Sequence, residues 1–220
     1  MRFRRGGLTG LALALSLALA PPLRAGETYD LIFRQGTLSG LPETEVLTYR
    51  REVSVPEAPD QSERGTGDVR LSFEPGDLVR LTFHQDEKHG NIGTFPADVG
   101  NPVIMYFVET VLRDVAEQTG GSPFYLRNRI KEALLLDVPV ETGTADFDGA
   151  EVPVRILTLR PFEADANRDK LGAYADLALT FTLSEDVPGW YRSLAATAPG
   201  AEGGAGYSST LTLLPQEAAQ

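Results

Sequence analysis

The sequence predicts an α+β fold, mainly antiparallel β with about nine strands, in which a curved sheet or half-barrel is plugged by a central pair of helices. Three observations predict it. Stretches in which apolar and polar residues alternate recur along the 220 residues, separated by Gly, Pro and Asp turn signals. One block, residues 101–136, changes to the 3.6-residue period of amphipathic helices. Nowhere does strand alternate with helix as the βαβ units of a parallel sheet require.

In chain order, 27–35 (ETYDLIFRQ) and 43–53 (ETEVLTYRREV) are rich in β-branched, aromatic and other apolar residues and are divided by Gly36, Gly40 and Pro42, which predicts a first antiparallel pair. Residues 56–67 have no period and carry two prolines and several charges, which predicts a solvated loop. Val69, Leu71 and Phe73, then Val79, Leu81 and Phe83, flank Pro75-Gly76-Asp77 and predict a hairpin with one buried face. The stretch 84–100 is expected to lead into the helices. Asn101 is suited to an N-cap and Pro102 to the first helical position. Val103, Ile104, Phe107, Val108, Val111, Leu112 and Val115 form the first apolar stripe, which leaves Glu109, Arg113, Asp114 and Glu117 outside. Gly120-Gly121 stops that helix, Ser122-Pro123 starts the next, and Leu126, Ile130, Ala133 and Leu134 form its stripe. Strands then return: 144–147 and 152–159 about an Asp148-Gly149 type I′ turn, 177–183, 190–197 and 207–213, the last with Tyr207, Ser209, Leu211 and Leu213 on one side.

A chain that is 42% hydrophobic and of this length can bury one core, so 26–220 is read as a single β-rich domain. Residues 1–25 are expected to be a cleaved Sec-type signal peptide: Arg2, Arg4 and Arg5 precede an apolar run from Leu8 to Ala20, and Ala25 is a small residue suited to signal peptidase. That places the mature protein in the periplasm or outside the cell, with no transmembrane segment. The absence of cysteine excludes disulfides, thiolate metal sites and a cysteine nucleophile. Removal of the leader leaves a net charge of about −15 by residue count, which disfavours nucleic acid and anionic membranes over the general surface. An anion or lipid headgroup would need a local basic patch.

Candidate chemistry is sparse. His84, Asp86, Glu87 and His89 gather both histidines and two carboxylates, a set that suits a divalent metal or a solvated turn. Asp165, Asn167, Asp169 and Asp176 fall at positions 1, 3, 5 and 12 of a calcium-loop spacing, although Lys170 replaces the required glycine and an Asx-rich turn explains the same residues. There is no G-x-S-x-G elbow and no S-x-x-K arrangement, so no catalytic residue is assigned, no cofactor is implied, and a non-enzymatic protein is expected. The second helix bears Arg127, Arg129 and Lys131 behind Phe124 and Tyr125, a face able to hold an anionic headgroup or, alternatively, to pair with neighbouring acids. Tyr106 and Trp190 are read as further pocket residues or as core.

The run Asn101-Pro102-Val103, followed by Thr119-Gly120-Gly121-Ser122-Pro123-Phe124-Tyr125-Leu126-Arg127-Asn128-Arg129-Ile130, resembles a motif of exported proteobacterial proteins to which no activity is assigned; Pro161-Phe162 and 184–189 (SEDVPG) resemble later segments of the same group. The order of strands, helices and strands is also similar to periplasmic lipoprotein carriers of the LolA type, whose half-barrel with a helical plug holds acyl chains. The likeness implies a cavity for a lipid or other amphiphile. The alternative class is a structural or interaction module of the envelope with a packed core, partnered by another envelope protein; a metal-dependent hydrolase is third.

Overall fold

The computed structural model describes residues 26–200 and 206–216; the expected signal peptide lies outside them. The elements run α1 (Glu27–Ile32), β1 (Val46–Ser54), α2 (Pro59–Gly65), β2 (Gly67–Glu74), β3 (Leu78–Gln85), β4 (Lys88–Pro96), α3 (Val103–Thr119), α4 (Pro123–Leu134), β5 (Val140–Phe147), β6 (Ala150–Leu159), β7 (Ala178–Leu183), β8 (Tyr191–Ala198) and β9 (Tyr207–Leu213), with short 3-10 turns at Arg168–Lys170 and Gly172–Asp176. All nine strands form one antiparallel, curved sheet that is not closed into a barrel, in the order β4-β3-β2-β1-β9-β8-β7-β6-β5. The class is α+β. β9, the last strand, is inserted between β1 and β8, so the first and last strands pair in the middle of the sheet.

Alternation sets the buried face. Leu47, Tyr49, Arg51 and Val53 of β1, Val69 and Leu71 of β2, Val79 and Leu81 of β3, Leu179 and Phe181 of β7, and Tyr207, Ser209, Leu211 and Leu213 of β9 all point inward. Asp148 and Gly149 both have positive φ, 54° and 75°, as the type I′ turn between β5 and β6 requires. Helix α3 lies against the sheet with every predicted stripe residue buried except half-buried Val108. Phe107 meets Phe181 edge to face at 6.3 Å. Phe107, Val111, Leu112 and Val115, and facing Tyr49, Phe181, Leu194 and Leu211, are 0–1% exposed. A hollow that admitted even a water-sized sphere would leave accessible area on these side chains. The space between α3 and the sheet is filled.

Asn101 is the joint between helix and sheet. Its Oδ1 accepts the Val103 N–H at 3.1 Å, which makes it the functional cap, while its Nδ2 donates to Tyr49 Oη and the Gly189 carbonyl, both at 2.9 Å. At 2% exposure it spends both side-chain donors and its acceptor inside the protein.

Three predicted elements are corrected. Residues 27–32 are helix, not strand: the buried pair Thr28 and Ile32 is spaced by four, and two orphan carbonyls at the helix end are taken by Trp190 Nε1 (Leu31 O, 2.9 Å) and Tyr191 Oη (Ile32 O, 2.7 Å). The predicted loop 56–67 contains α2, whose buried side chain, Gln61, is polar and leaves no apolar period to read. The predicted lead-in 84–100 contains β4, a mostly exposed edge strand, with a register slip opposite Leu81/Thr82 and the ring of Phe95 laid over Gly93, where a Cβ would approach it to 2.9 Å. The count of nine strands is right although its membership is not. No helix among the described residues is long and apolar enough to cross a membrane.

Candidate functional site

On the inner face of β1, Arg51 occupies a position that alternation reserves for an apolar residue, and its side chain is 6% exposed. It is held by the Gly65 carbonyl at 2.7 Å and by Asp114 of α3 at 3.3 Å. Asp114 Oδ1 accepts Gln61 Nε2 at 3.1 Å, and Oδ2 also accepts the Tyr207 hydroxyl at 2.9 Å. Gln118 of α3 closes the network by donating its Nε2 to the Gln61 side-chain Oε1 at 2.5 Å. The expectation that Asp114 lies outside the helix stripe is therefore corrected: it is mostly buried because Arg51 needs an anion there. Burial lifts the Asp114 carboxyl above the ordinary range, outweighing the opposing pull of Arg51, Tyr207 and Gln61.

Two clefts open beside this network. One, about 390 Å³, is lined by Glu57, Gln118, Thr119, Lys170, Tyr174 and Tyr207 among others, and by Gly200 and Gly206, which bracket residues outside the described set. The second, also about 390 Å³, is lined by the Gly120–Ser122 turn, Tyr125, Leu126 and Asn167, and shares Thr119, Lys170 and Leu171 with the first. Tyr125 Oη donates to Asp165 (2.6 and 2.8 Å) and accepts Asn167 Nδ2 at 3.0 Å; Lys170 Nζ donates to Asn167 Oδ1 at 3.0 Å. Burial pushes Tyr207 well above its usual range, and burial with the negative charges of Asp114 and Glu57 pushes Tyr174 up to about 12. These phenols stay protonated at neutral pH. The site can bind and orient polar groups through its hydroxyl, amide and ammonium groups.

Tyr49, Tyr106 and Tyr191 are likewise pushed up by burial, so five tyrosines share one pH consequence. Their folded values lie above the unfolded value near 10, so the stability they contribute is complete below pH 10 and is lost as pH rises through the folded values. The melting temperature should fall by roughly 5–10 °C between pH 10 and 12. Absorbance from these five tyrosinates should appear together with unfolding; if all seven tyrosines of the chain ionise while the protein remains folded, the five are not buried as described.

The other sequence-predicted residues disperse. Phe124 is 70% exposed beside Tyr125. Arg127 pairs with Glu109 through both carboxylate oxygens (3.2 and 3.1 Å), and Arg129 with Glu132 at 2.5 Å, while Lys131 is exposed. The basic face is thus largely neutralised by acids on α3 and α4. Tyr106 lies under the Arg51 guanidinium at 5.9 Å. Trp190, 4% exposed, belongs to the dock of α1, with Arg34 stacked 4.5 Å above its ring. His84 and His89 face each other across β3 and β4, their ring centroids 5.7 Å apart, with His84 Nε2 bonded to Thr82 Oγ1 at 2.8 Å; Asp86 and Glu87 make the exposed turn between them. In the calcium-like spacing, Asp165 serves Tyr125 and the Asn167 N–H, Asn167 serves Lys170, Asp176 pairs with Arg168, and Asp169 is exposed. Among the described residues no group of three or more His, Asp or Glu side chains is placed to hold a metal ion.

The sequence reading missed Arg51, Gln61, Asp114, Lys170 and Tyr174. Only Arg51 left a signal, a cation at the inward step between Tyr49 and Val53. No protein-family model matches the chain and no curated protein matches it, so its function rests on the geometry of its own residues.

Proposed function

We propose that the chain is an exported, non-enzymatic envelope protein that works as an interaction module with a solid core, and that the paired clefts around Lys170 are its contact surface. The observation that supports this most is the full burial of the side chains facing one another between α3 and the sheet. Binding energy must then be gained at the surface, where hydrogen-bonding groups of Tyr125, Asn167, Lys170 and Gln118 converge. The partner that suits these groups is a polar segment of another envelope protein.

A second reading, an amphiphile carrier, draws on a different place: an apolar cleft of about 270 Å³ between α1 and the start of α3, lined by Tyr29, Phe33, Val99, Ile104 and Met105, of which Tyr29, Val99 and Met105 are exposed. One experiment separates the two. Native mass spectrometry of protein released gently from the envelope should give the mass of the polypeptide alone, and a photo-crosslinker at Ser122 should yield a defined protein adduct that one at Met105 does not. A stoichiometric lipid adduct, abolished by Met105→Asp, would overturn the interaction reading in favour of the carrier.

A further inference from the structure

We propose that Asp137 is the acceptor for a new N-terminus, generated by hydrolysis of the Ala25–Gly26 bond. The Gly26 backbone nitrogen lies 3.1 Å from Asp137 Oδ1. In the uncut chain that nitrogen is a neutral amide. A signal peptidase that cuts after a small residue adds water across the bond: hydroxyl goes to the Ala25 carbonyl carbon, which leaves as a carboxylate, and hydrogen goes to Gly26 N. The freed amine then takes up a proton and becomes an ammonium whose carboxylate partner is already in place. The neutral hydrogen bond becomes a charge-assisted one.

Three further features support the assignment. The segment immediately after Gly26 is docked: Thr28 Oγ1 accepts the Val138 N–H at 3.0 Å one residue beyond Asp137, Ile32 is fully buried, and Trp190 and Tyr191 hold the end of α1. In the uncut chain Gly26 has φ +101°, a backbone conformation that side-chain-bearing residues rarely adopt, and cleavage removes this constraint because a first residue has no φ. A positive charge at the start of α1 opposes the helix dipole, and a carboxylate beside it removes that penalty. Cleavage thereby strengthens the tie between the chain start and the segment leaving α4.

The sign of the pH effect is distinctive. An α-amino group titrates near 8 when free, and a carboxylate partner raises it; the stability gained is complete below the free value and is lost as pH rises through the folded value. The full chain is expressed with its own leader, recovered from the envelope and sequenced from the N-terminus, with Gly26 expected first. Asp137→Asn, which keeps an acceptor but removes the charge, should then melt about 1–3 °C lower than the parent at pH 6.5, and the gap should close by pH 10. In a version that retains Ala25 before Gly26 the gap should be independent of pH over that range. A mature terminus at any other residue, or an Asp137→Asn gap equal at pH 6.5 and pH 10, would overturn the proposal.

Discussion

Phe107→Ala should cost about 3–5 kcal/mol of folding stability and lower the melting temperature by roughly 6–20 °C. The side chain has no accessible surface and stands at the centre of the contact between α3 and the sheet, edge-on to Phe181 at 81° between ring planes. Removing it forfeits both the transfer free energy of the ring and its dispersion contacts, and the rigid sheet beneath cannot collapse to refill the space. Urea denaturation should show the loss as a lower midpoint with an unchanged slope. Phe124→Ala, at a site 70% exposed on α4, should stay within about 0.5 kcal/mol and serves as the control. A Phe107→Ala cost near that of the control would mean that α3 does not pack as described.

Asp114→Ala should be of similar size, about 3–5 kcal/mol, for an electrostatic reason. It would leave the Arg51 guanidinium inside the protein without its carboxylate, and would strip the acceptor from the Tyr207 hydroxyl and the Gln61 amide at the same time. Replacing both charges, Arg51→Met with Asp114→Leu, should return stability to within about 1–2 kcal/mol of the parent, since the pair itself contributes far less than the isolated charge costs. Thermal melts of the two single variants and the double variant would read out this non-additivity. There is also a pH signature. Because the folded carboxyl titrates above its unfolded value, its contribution to stability is complete below the unfolded value and is lost as pH rises through the folded one, so Asp114→Asn should flatten that part of the stability curve. Additive single and double variants would show that Arg51 and Asp114 do not form a unit.

Where the sequence reading and the fold part company, the cause lies in which signal each element carries. The Asp148-Gly149 turn, the hairpin through Gly76 and both helices of 103–134 were legible because their apolar periods and turn residues act locally. Segment 27–32 reads equally well as strand, since Tyr29, Leu31 and Phe33 alternate; it is helix because Trp190 and Tyr191, about 160 residues away, hold its terminal carbonyls. Strand β4 hides for the opposite reason: a mostly exposed edge strand in which only Ile92 and Phe95 pack against the core has no regular alternation to show. The basic stripe of α4 reads as available to an anion, but Glu109 of the neighbouring helix stands across from Arg127.

By itself the sequence determined the class, the antiparallel habit, the helical pair and the identity of most core positions, all of which follow from short-range periodicity and from the steric limits of Gly and Pro. The tertiary structure alone decided where a site could be. Arg51, Asp114 and Tyr207 come from β1, α3 and β9, and they meet only because β9 is inserted beside β1 and α3 crosses the face that those strands share. A period shows which way a side chain points; the charge or hydroxyl it will find there belongs to another part of the chain, and only packing brings the two together.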